Sequence, residues 1–176
     1  MSVSVLTAIL TLAGITFLPF LELRASIPFG FFHEEVSSRL SWPAVAAVCM
    51  AANILIGWAT FWVLAPAANF MRRWGWFDRA VWPRLEKTQH RIKPQVDRWG
   101  EWGVAIFIGI PLPGSGTYAG ALGAYLLGLS KRKFAAATVI GVLIAGAAVT
   151  GFCLLIEHGF VADDSIMRRL MVKEIG

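Results

Sequence analysis

Charged side chains are scarce in this sequence of 176 residues. They make up 15% of it, whereas soluble proteins average about 25%. Hydrophobic residues make up 57% of the chain, and its mean hydropathy is positive. The shortage of charge excludes an ordinary soluble domain and indicates an integral membrane protein.

Cysteine is nearly absent. Cys49 and Cys153 are the only two, each lies in an apolar run, and they form no Cys-x-x-Cys spacing, so neither a disulfide framework nor a metal site is indicated. His33, His90 and His158 are far from one another and from cysteine, and zinc-ligand spacing is missing. We expect no metal and no cofactor.

The net charge of +5 does not point to nucleic acid. The basic residues cluster between apolar runs, where they act as topology signals and contact anionic lipid headgroups. We therefore expect the bilayer and its anionic phospholipids as partners, and no nucleic acid. The N-terminus lacks a basic start and a small-x-small cleavage site before Pro19, so no cleaved signal peptide is expected.

Long runs without charge follow one another along the chain. Val3–Leu21 has nineteen uncharged residues, just long enough to span a bilayer core at about 20 residues. The uncharged run 40–71 predicts a transmembrane helix over 42–70, and the run 134–156 predicts a second. The fold class predicted is an all-α integral membrane protein.

Two segments are broken by proline and glycine, one in the uncharged run Trp102–Ser130 and one that begins at the end of the run Val3–Leu21. In the stretch 110–120, Pro111 and Pro113 cannot continue a straight helix, and three glycines weaken it further. In the stretch 18–30, Pro19 and Pro28 bracket an acid and a base. Broken backbone at membrane depth needs protein or a water-lined cavity to satisfy its N–H and C=O groups, so each break predicts a site.

The two halves of the chain repeat this pattern. Adding 92 to a residue number brings Pro19 onto Pro111 and Trp42 onto Phe134. Both halves therefore have a broken apolar segment, a short polar turn and a long apolar helix. This arrangement is typical of transporters built on repeats, whose substrate site lies where the breaks meet.

Four regions follow from this pattern. Repeat 1 covers 1–70, repeat 2 covers 102–157, and a polar tail covers 158–176. Between the repeats, the linker 71–101 has four acidic residues and these eight basic ones: Arg72, Arg73, Arg79, Arg84, Lys87, Arg91, Lys93 and Arg98. The linker is either a solvated connection or a set of amphipathic helices lying on the headgroups.

Charge asymmetry favours re-entrant hairpins over full crossings at the two breaks. With re-entrant hairpins around 18–30 and 110–120, the basic linker and the cluster Lys131–Lys133 lie on one face, which the positive-inside rule makes cytoplasmic. The two repeats are then inverted. The tail has balanced charge and does not choose a side.

Glu22 and Arg24 are the only charged residues before His33. Charges at the centre of a bilayer are costly, and those retained there usually pair or function. In the structural interpretation, the two form a pair, or each caps a half-helix end, and they only hold the break together. In the functional interpretation, Arg24 is a bidentate anion ligand and Glu22 carries a proton.

The second break contains no charged residue, and its candidate ligand-binding groups are backbone N–H groups. A half-helix starting after Pro113 would point the N–H groups of Gly114, Ser115, Gly116 and Thr117 at a phosphate or carboxylate, with hydroxyls from Ser115, Thr117 and Tyr118. No Gly-Lys-Ser/Thr follows, and Ser115 has no evident histidine partner, so no enzyme and no catalytic residue is expected. Asn53, in the middle of the first long helix, is either a hydrogen-bonding residue between helices or a ligand.

These two motifs resemble those of the small multi-drug export protein family, a compact relative of the DedA (VTT-domain) membrane proteins. Residues 18–28, Leu-Pro-Phe-Leu-Glu-Leu-Arg-Ala-Ser-Ile-Pro, are similar to that family's P-x-x-E-x-R-x-x-I-P. Residues 110–120 are similar to its I-P-x-P-G-T-G-A-x-x-G, with Ser115 in place of Thr and Thr117 in place of Ala. The segment order matches over about 10–155.

The resemblance implies two facing re-entrant hairpins, each followed by a transmembrane helix, and a homodimer in the bacterial inner membrane. The family name implies drug export, and the DedA superfamily implies proton-dependent translocation of polyprenyl-phosphate lipids.

The leading hypothesis is proton-coupled transport of an anionic lipid such as undecaprenyl phosphate. A small multidrug exporter, with aromatic residues Phe17, Phe20, Trp58 and Trp62 near the cavity, and a non-transporting lipid-binding or assembly factor are the alternatives.

Overall fold

The computed structural model describes residues 4–19, 21–71, 100–111 and 116–157, and these are helical with short connections. The described helices are α1 (Val5–Phe17), α2 (Glu22–Phe32), α3 (Glu34–Ser37), α4 (Trp42–Met71), α5 (Gly100–Gly109), α6 (Thr117–Leu126) and α7 (Lys131–Glu157). Most of the linker, the tail and the residues Phe20, Leu112, Pro113, Gly114 and Ser115 lie outside the described part of the chain, so predictions on them stay predictions.

The first apolar run, Val3–Leu21, forms the short helix α1 and not a full-length span, and a second short helix, α2, follows the break. Ser4 caps α1, its side chain accepting a hydrogen bond of 3.2 Å from the N–H of Thr7. The helix ends at Phe17, because Leu18 has extended backbone and Pro19 cannot donate to the next turn. At thirteen residues, α1 is shorter than the roughly 20 needed to span a bilayer.

Pro28 does not break the chain, so the prediction of a break there is wrong. It lies inside α2, which continues to Phe32. A proline removes one helical hydrogen bond and crowds the preceding turn, but α2 is short and continues for only four residues beyond it. The break in this half lies between the end of α1 at Phe17 and the start of α2 at Glu22.

Two helices in the described ranges are long and apolar enough to cross a membrane. They are the apolar part of α4, Trp42–Leu64, and α7, Lys131–Glu157, where the sequence predicts helices over 42–70 and 134–156. Their outward faces carry large apolar side chains such as Trp62, Leu143 and Phe152, which are 65%, 50% and 56% exposed. This is the surface expected of a membrane protein, whose helices meet lipid.

The order of short helix, break, short helix and long helix occurs in both halves of the chain. The short helix of each half packs against the long helix of the other half: α2 against α7, and α6 against α4. The halves therefore share one core, in which the rings of Phe61 and Phe134 stack at 4.4 Å between centroids. This cross-packing brings the break before α2 close to the break before α6.

Candidate functional site

Glu22 is the buried acid at the first break, and its backbone is unusual. It opens α2 with φ of 47°, the only positive φ of a non-glycine residue in the described ranges. Its N–H donates to the carbonyl of Leu18 at 3.2 Å. Left-handed backbone costs a non-glycine residue roughly 1–2 kcal/mol, and such strain often lies at functional sites. This turn directs the side chain into the protein, where it is 2% exposed.

The carboxylate of Glu22 reaches across to the second half of the chain. Oε2 accepts hydrogen bonds from the backbone N–H of Thr117 at 3.0 Å, from Arg24 Nη1 at 3.3 Å and from Asn53 Nδ2 at 3.4 Å. Oε1 accepts from the N–H of Tyr118 at 3.4 Å. Thr117 and Tyr118 are the first two residues of α6, so the carboxylate occupies the positive end of that helix.

Gly116 makes this approach possible. A Cβ atom at this position would overlap the carboxylate group of Glu22. The backbone of Gly116 is extended, with φ of −81° and ψ of −169°, so glycine is required here by space and not by conformation. The helix end that the sequence predicts to face a phosphate or carboxylate thus receives a carboxylate of the protein itself.

Arg24 performs the corresponding role at the end of α5. Its Nη2 donates to the carbonyl of Ile110 at 2.9 Å and to that of Ile108 at 3.4 Å. A cation is favourable at the C-terminal carbonyls of a helix. Glu22 and Arg24 thus bind the two ends of the second break while they contact each other at 3.3 Å, as the structural interpretation of this pair requires.

Asn53 and the Thr117 side chain extend the network into α4. Thr117 Oγ1 donates to Asn53 Oδ1 at 2.7 Å, and both residues are fully buried. The side chain of Thr117 rests on Gly57, where an added Cβ would lie 3.2 Å from the Thr117 Cβ. Small residues of this kind allow helices to come close in membranes. Asn53 is therefore part of the site and connects both halves.

Tyr118 joins the second break to the end of α1. Its hydroxyl donates to the carbonyl of Phe17 at 2.7 Å. Phe17 is the last residue of α1, whose final carbonyls have no partner within the helix. The tyrosine therefore caps one broken helix with a side chain from the other half.

A cavity of about 240 Å³ opens beside these contacts. Glu22 and Arg24 form its polar end, and Leu122, 47% exposed, forms part of its apolar wall. The lining residues are Pro19, Glu22, Arg24, Gly116, Tyr118, Ala119 and Leu122.

The aromatic residues of the drug-export hypothesis do not line this cavity where the structure describes them. Phe17, Trp58 and Trp62 are not among the lining residues, and Phe20 lies outside the described ranges. Trp62 instead contacts Lys131, whose Nζ is 4.6 Å from the ring centroid.

The structure brings together Glu22, Arg24, Gly116, Thr117, Tyr118 and Asn53. Gly114, Ser115 and Pro113 belong to the same predicted set but are outside the described ranges. Sequence reasoning missed the carbonyls of Ile108, Ile110 and Phe17, which receive Arg24 and Tyr118. Their only signal in the sequence was their position just before a proline-containing break, where helical carbonyls lose their donors.

Comparison with known proteins gives one match. A family model described as "Putative small multi-drug export protein" matches residues 22–148, well over half of the chain. The matched region begins at Glu22 and includes α4, the second break and α7 as far as residue 148. No curated protein and no solved structure matches this chain.

Proposed function

We propose that this chain, which belongs to the small multi-drug export protein family, is a proton-coupled membrane transporter of an anionic polyprenyl-phosphate lipid similar to undecaprenyl phosphate. The observation that carries the proposal is the Glu22 carboxylate held on the first amides of α6, beside Arg24 and a cavity. A helix N-terminus with an arginine is a place for phosphate. Here an internal carboxylate occupies it.

Charge favours an anion as the substrate. The fixed positive groups are the Arg24 guanidinium and the positive end of α6, equivalent to roughly half a charge. Arg24 also contacts the C-terminal carbonyls of α5, which are equivalent to roughly minus half a charge, so the charge of the ionised Glu22 brings the sum close to zero. Once Glu22 takes up a proton, the positive groups lose their counter-charge in a site of low dielectric, and a phosphate is then bound strongly.

This balance suggests an exchange mechanism. Protonation removes the charge that holds the Glu22 side chain on the amides of Thr117 and Tyr118, and the lipid phosphate takes its place on these amides and on Arg24 Nη1. When Glu22 releases its proton on the other side, its carboxylate competes for the same donors and displaces the phosphate. One proton and one anionic headgroup move together in each cycle, and no covalent bond changes, so the protein is a transporter and not an enzyme.

The volume of the cavity suits a lipid headgroup better than a whole drug-sized molecule. Pockets for drug-sized molecules measure about 300–1,000 Å³, and this one measures about 240 Å³. A phosphate fits at its polar end, and the lipid chain would leave along the apolar wall formed by Ala119 and Leu122. Ser115, Gly114 and the side chain of Tyr118 would complete the headgroup site.

The same proposal includes the topology. Residues 18–28 and 110–120 resemble the motifs of the small multi-drug export protein family, which we take as a compact relative of the DedA proteins. This resemblance and the recurrence of helix order in the two halves support two inverted re-entrant hairpins in the bacterial inner membrane. The basic linker 71–101 is then cytoplasmic, and a homodimer covers the remaining exposed backbone of the breaks.

Reconstitution tests the lipid proposal. Liposomes containing the protein and a fluorescent undecaprenyl phosphate would be followed for leaflet exchange with and without a pH gradient. We expect gradient-dependent exchange that Arg24→Ala abolishes and Arg132→Ala, which removes an exposed cation at the start of α7, leaves in place. Equal exchange by wild type and Arg24→Ala would contradict the proposal.

The family description favours a second candidate, a small multidrug exporter. In that mechanism a cationic drug and a proton compete for the Glu22 carboxylate. Vesicles that expel a cationic dye but exchange no lipid phosphate, with the dye transport lost in Glu22→Gln, would support it. Binding of phosphorylated lipid with no transport of either probe would instead support a lipid-binding or assembly factor.

A further inference from the structure

Among the side chains that the structure describes, Asn53 is the one that contacts both the Glu22 carboxylate and the Thr117 hydroxyl. Its Oδ1 lies 2.7 Å from Thr117 Oγ1, and its Nδ2 lies 3.4 Å from Glu22 Oε2. Asn53, Thr117 and Glu22 are on α4, α6 and α2, and all three are essentially buried. A change at the carboxylate therefore reaches two other helices through this one amide.

The ionised carboxylate fixes the direction of this chain of hydrogen bonds. A carboxylate only accepts hydrogen bonds, so it must face the NH₂ group of the amide. The carbonyl oxygen of the amide then faces Thr117, whose hydroxyl has to donate. A protonated carboxyl group can donate instead, and with its proton directed at the amide it would face Oδ1. The amide would then turn its NH₂ group to Thr117, whose hydroxyl would become the acceptor.

The two carboxylate oxygens are also unequal. Oε2 has three donors, namely the Thr117 N–H, Arg24 Nη1 and Asn53 Nδ2, whereas Oε1 has the Tyr118 N–H at 3.4 Å. Removing Asn53 Nδ2 takes one of the three donors from the charged form. Donors to a carboxylate favour its ionised state.

We propose that Asn53 is a positioning residue that couples the protonation of Glu22 to the position of α6. The coupling is the reversal of the hydrogen-bond chain Thr117–Asn53–Glu22. The ionised state holds Thr117, and with it the start of α6, on the carboxylate. The protonated state reverses the chain and loosens that contact, which admits the substrate headgroup. This inference rests on the proposed proton cycle at Glu22.

Few other groups in the described ranges can change the pH response of this carboxylate. Of the described charged or titratable groups, Arg24 on α2 and Tyr118 on α6 contact it. The described residues of α1 and α4 carry no charge, and the thiol of Cys49 on α4 lies beside Ser26 and Thr16. The charged residues of α5 and α7 lie in their end turns: Glu101, Lys131, Arg132, Lys133 and Glu157.

Infrared spectroscopy tests the inference without transport. Purified protein in lipid nanodiscs would be titrated, and the carboxyl band that disappears in Glu22→Gln would be assigned to Glu22. In Asn53→Leu, which removes a donor to the charged form, we expect the half-maximal pH of this band to move to more alkaline pH. In Thr117→Val, which interrupts the hydrogen-bond chain at its other end, we expect the half-maximal pH to differ from that of the wild type. Thr117→Ser, which keeps the hydroxyl, should restore the wild-type profile.

Thr138→Val is the matched control, because Thr138 is also fully buried but donates to the carbonyl of Phe134 in its own helix. It should titrate as wild type does, and thermal unfolding of each variant would establish that it is folded. The inference would be overturned if folded Thr117→Val titrated as the wild type does, or if Thr117→Val and Thr138→Val shifted the band equally. The lack of any titrating Glu22 band would also overturn it. A shifted band in a protein that transports neither probe would leave the inference standing and refute the transport proposal.

Discussion

The carboxylate of Glu22 accepts a hydrogen bond of 3.0 Å from the backbone N–H of Thr117, a residue 95 positions later in the chain. This contact joins the start of α2 to the start of α6, and so the two breaks become one site. A charged side chain from one half thereby satisfies the helix end of the other half.

Gly116→Ala should displace the Glu22 side chain, because the new Cβ would overlap the carboxylate. We expect at least a tenfold loss of transport, and a free energy of unfolding that falls by more than the roughly 1 kcal/mol that alanine typically costs at a helix N-cap. Gly123→Ala in the same helix is the control, since nothing lies within 4 Å of its added Cβ. Equal transport rates of the two variants in liposomes would contradict the described position of Glu22.

Arg24→Lys should lose most of the transport activity although the charge is kept. The guanidinium donates to Glu22 and, through Nη2, to the carbonyls of Ile108 and Ile110. A lysine ammonium is a compact point charge without this planar fork. Transport rates in liposomes, compared with those of Arg132→Lys, would measure the effect. Wild-type rates in Arg24→Lys would mean that the fork geometry has no function.

Gly141→Ala and Gly151→Ala should change stability in opposite directions, although both lie in α7. A Cβ at position 141 would lie 2.7 Å from the carbonyl oxygen of Ala105 and 2.7 Å from the Cβ of Ile108, so α5 would have to move. Such overpacking costs typically 1–3 kcal/mol. At position 151 nothing lies within 4 Å, and alanine is the better helix former. Thermal unfolding in detergent measures both changes; destabilisation by Gly151→Ala alone would contradict the packing of α5 on α7.

Tyr118→Phe should destabilise the protein by about 1 kcal/mol, the typical net value of one hydrogen bond. It removes the donor to the Phe17 carbonyl but leaves the backbone N–H that contacts Glu22. Chemical unfolding in detergent would detect the loss. An unchanged unfolding midpoint would show that the Tyr118 hydroxyl does not tie α1 to α6.

Much of the helical pattern was predictable, because uncharged runs and prolines are local signals. The run 40–71 contains α4 and the run 134–156 lies within α7, and Pro19 marks the end of α1. Pro28 was misread, because a proline forbids only one hydrogen bond and a helix can continue past it. Whether it does so depends on tertiary packing, which the sequence pattern does not contain.

Some residues of the site could also be predicted from the sequence. Glu22 and Arg24 stand out as charges in an apolar segment, and Gly116 and Thr117 as part of a glycine-rich break. Their partners could not be read off, because which carbonyls Arg24 reaches and which amides Glu22 occupies depend on how the two halves pack. A free helix end and one filled by an internal carboxylate have the same local sequence.

The most direct test of the central claim is lipid exchange in liposomes by Glu22→Gln, compared with wild type, with and without a pH gradient. Glutamine has nearly the same shape as the acid but cannot exchange a proton. We predict that the gradient accelerates exchange of labelled undecaprenyl phosphate by the wild type and has no effect on any exchange that Glu22→Gln retains. Gradient-driven exchange by Glu22→Gln at the wild-type rate would contradict the claim that Glu22 couples protons to transport.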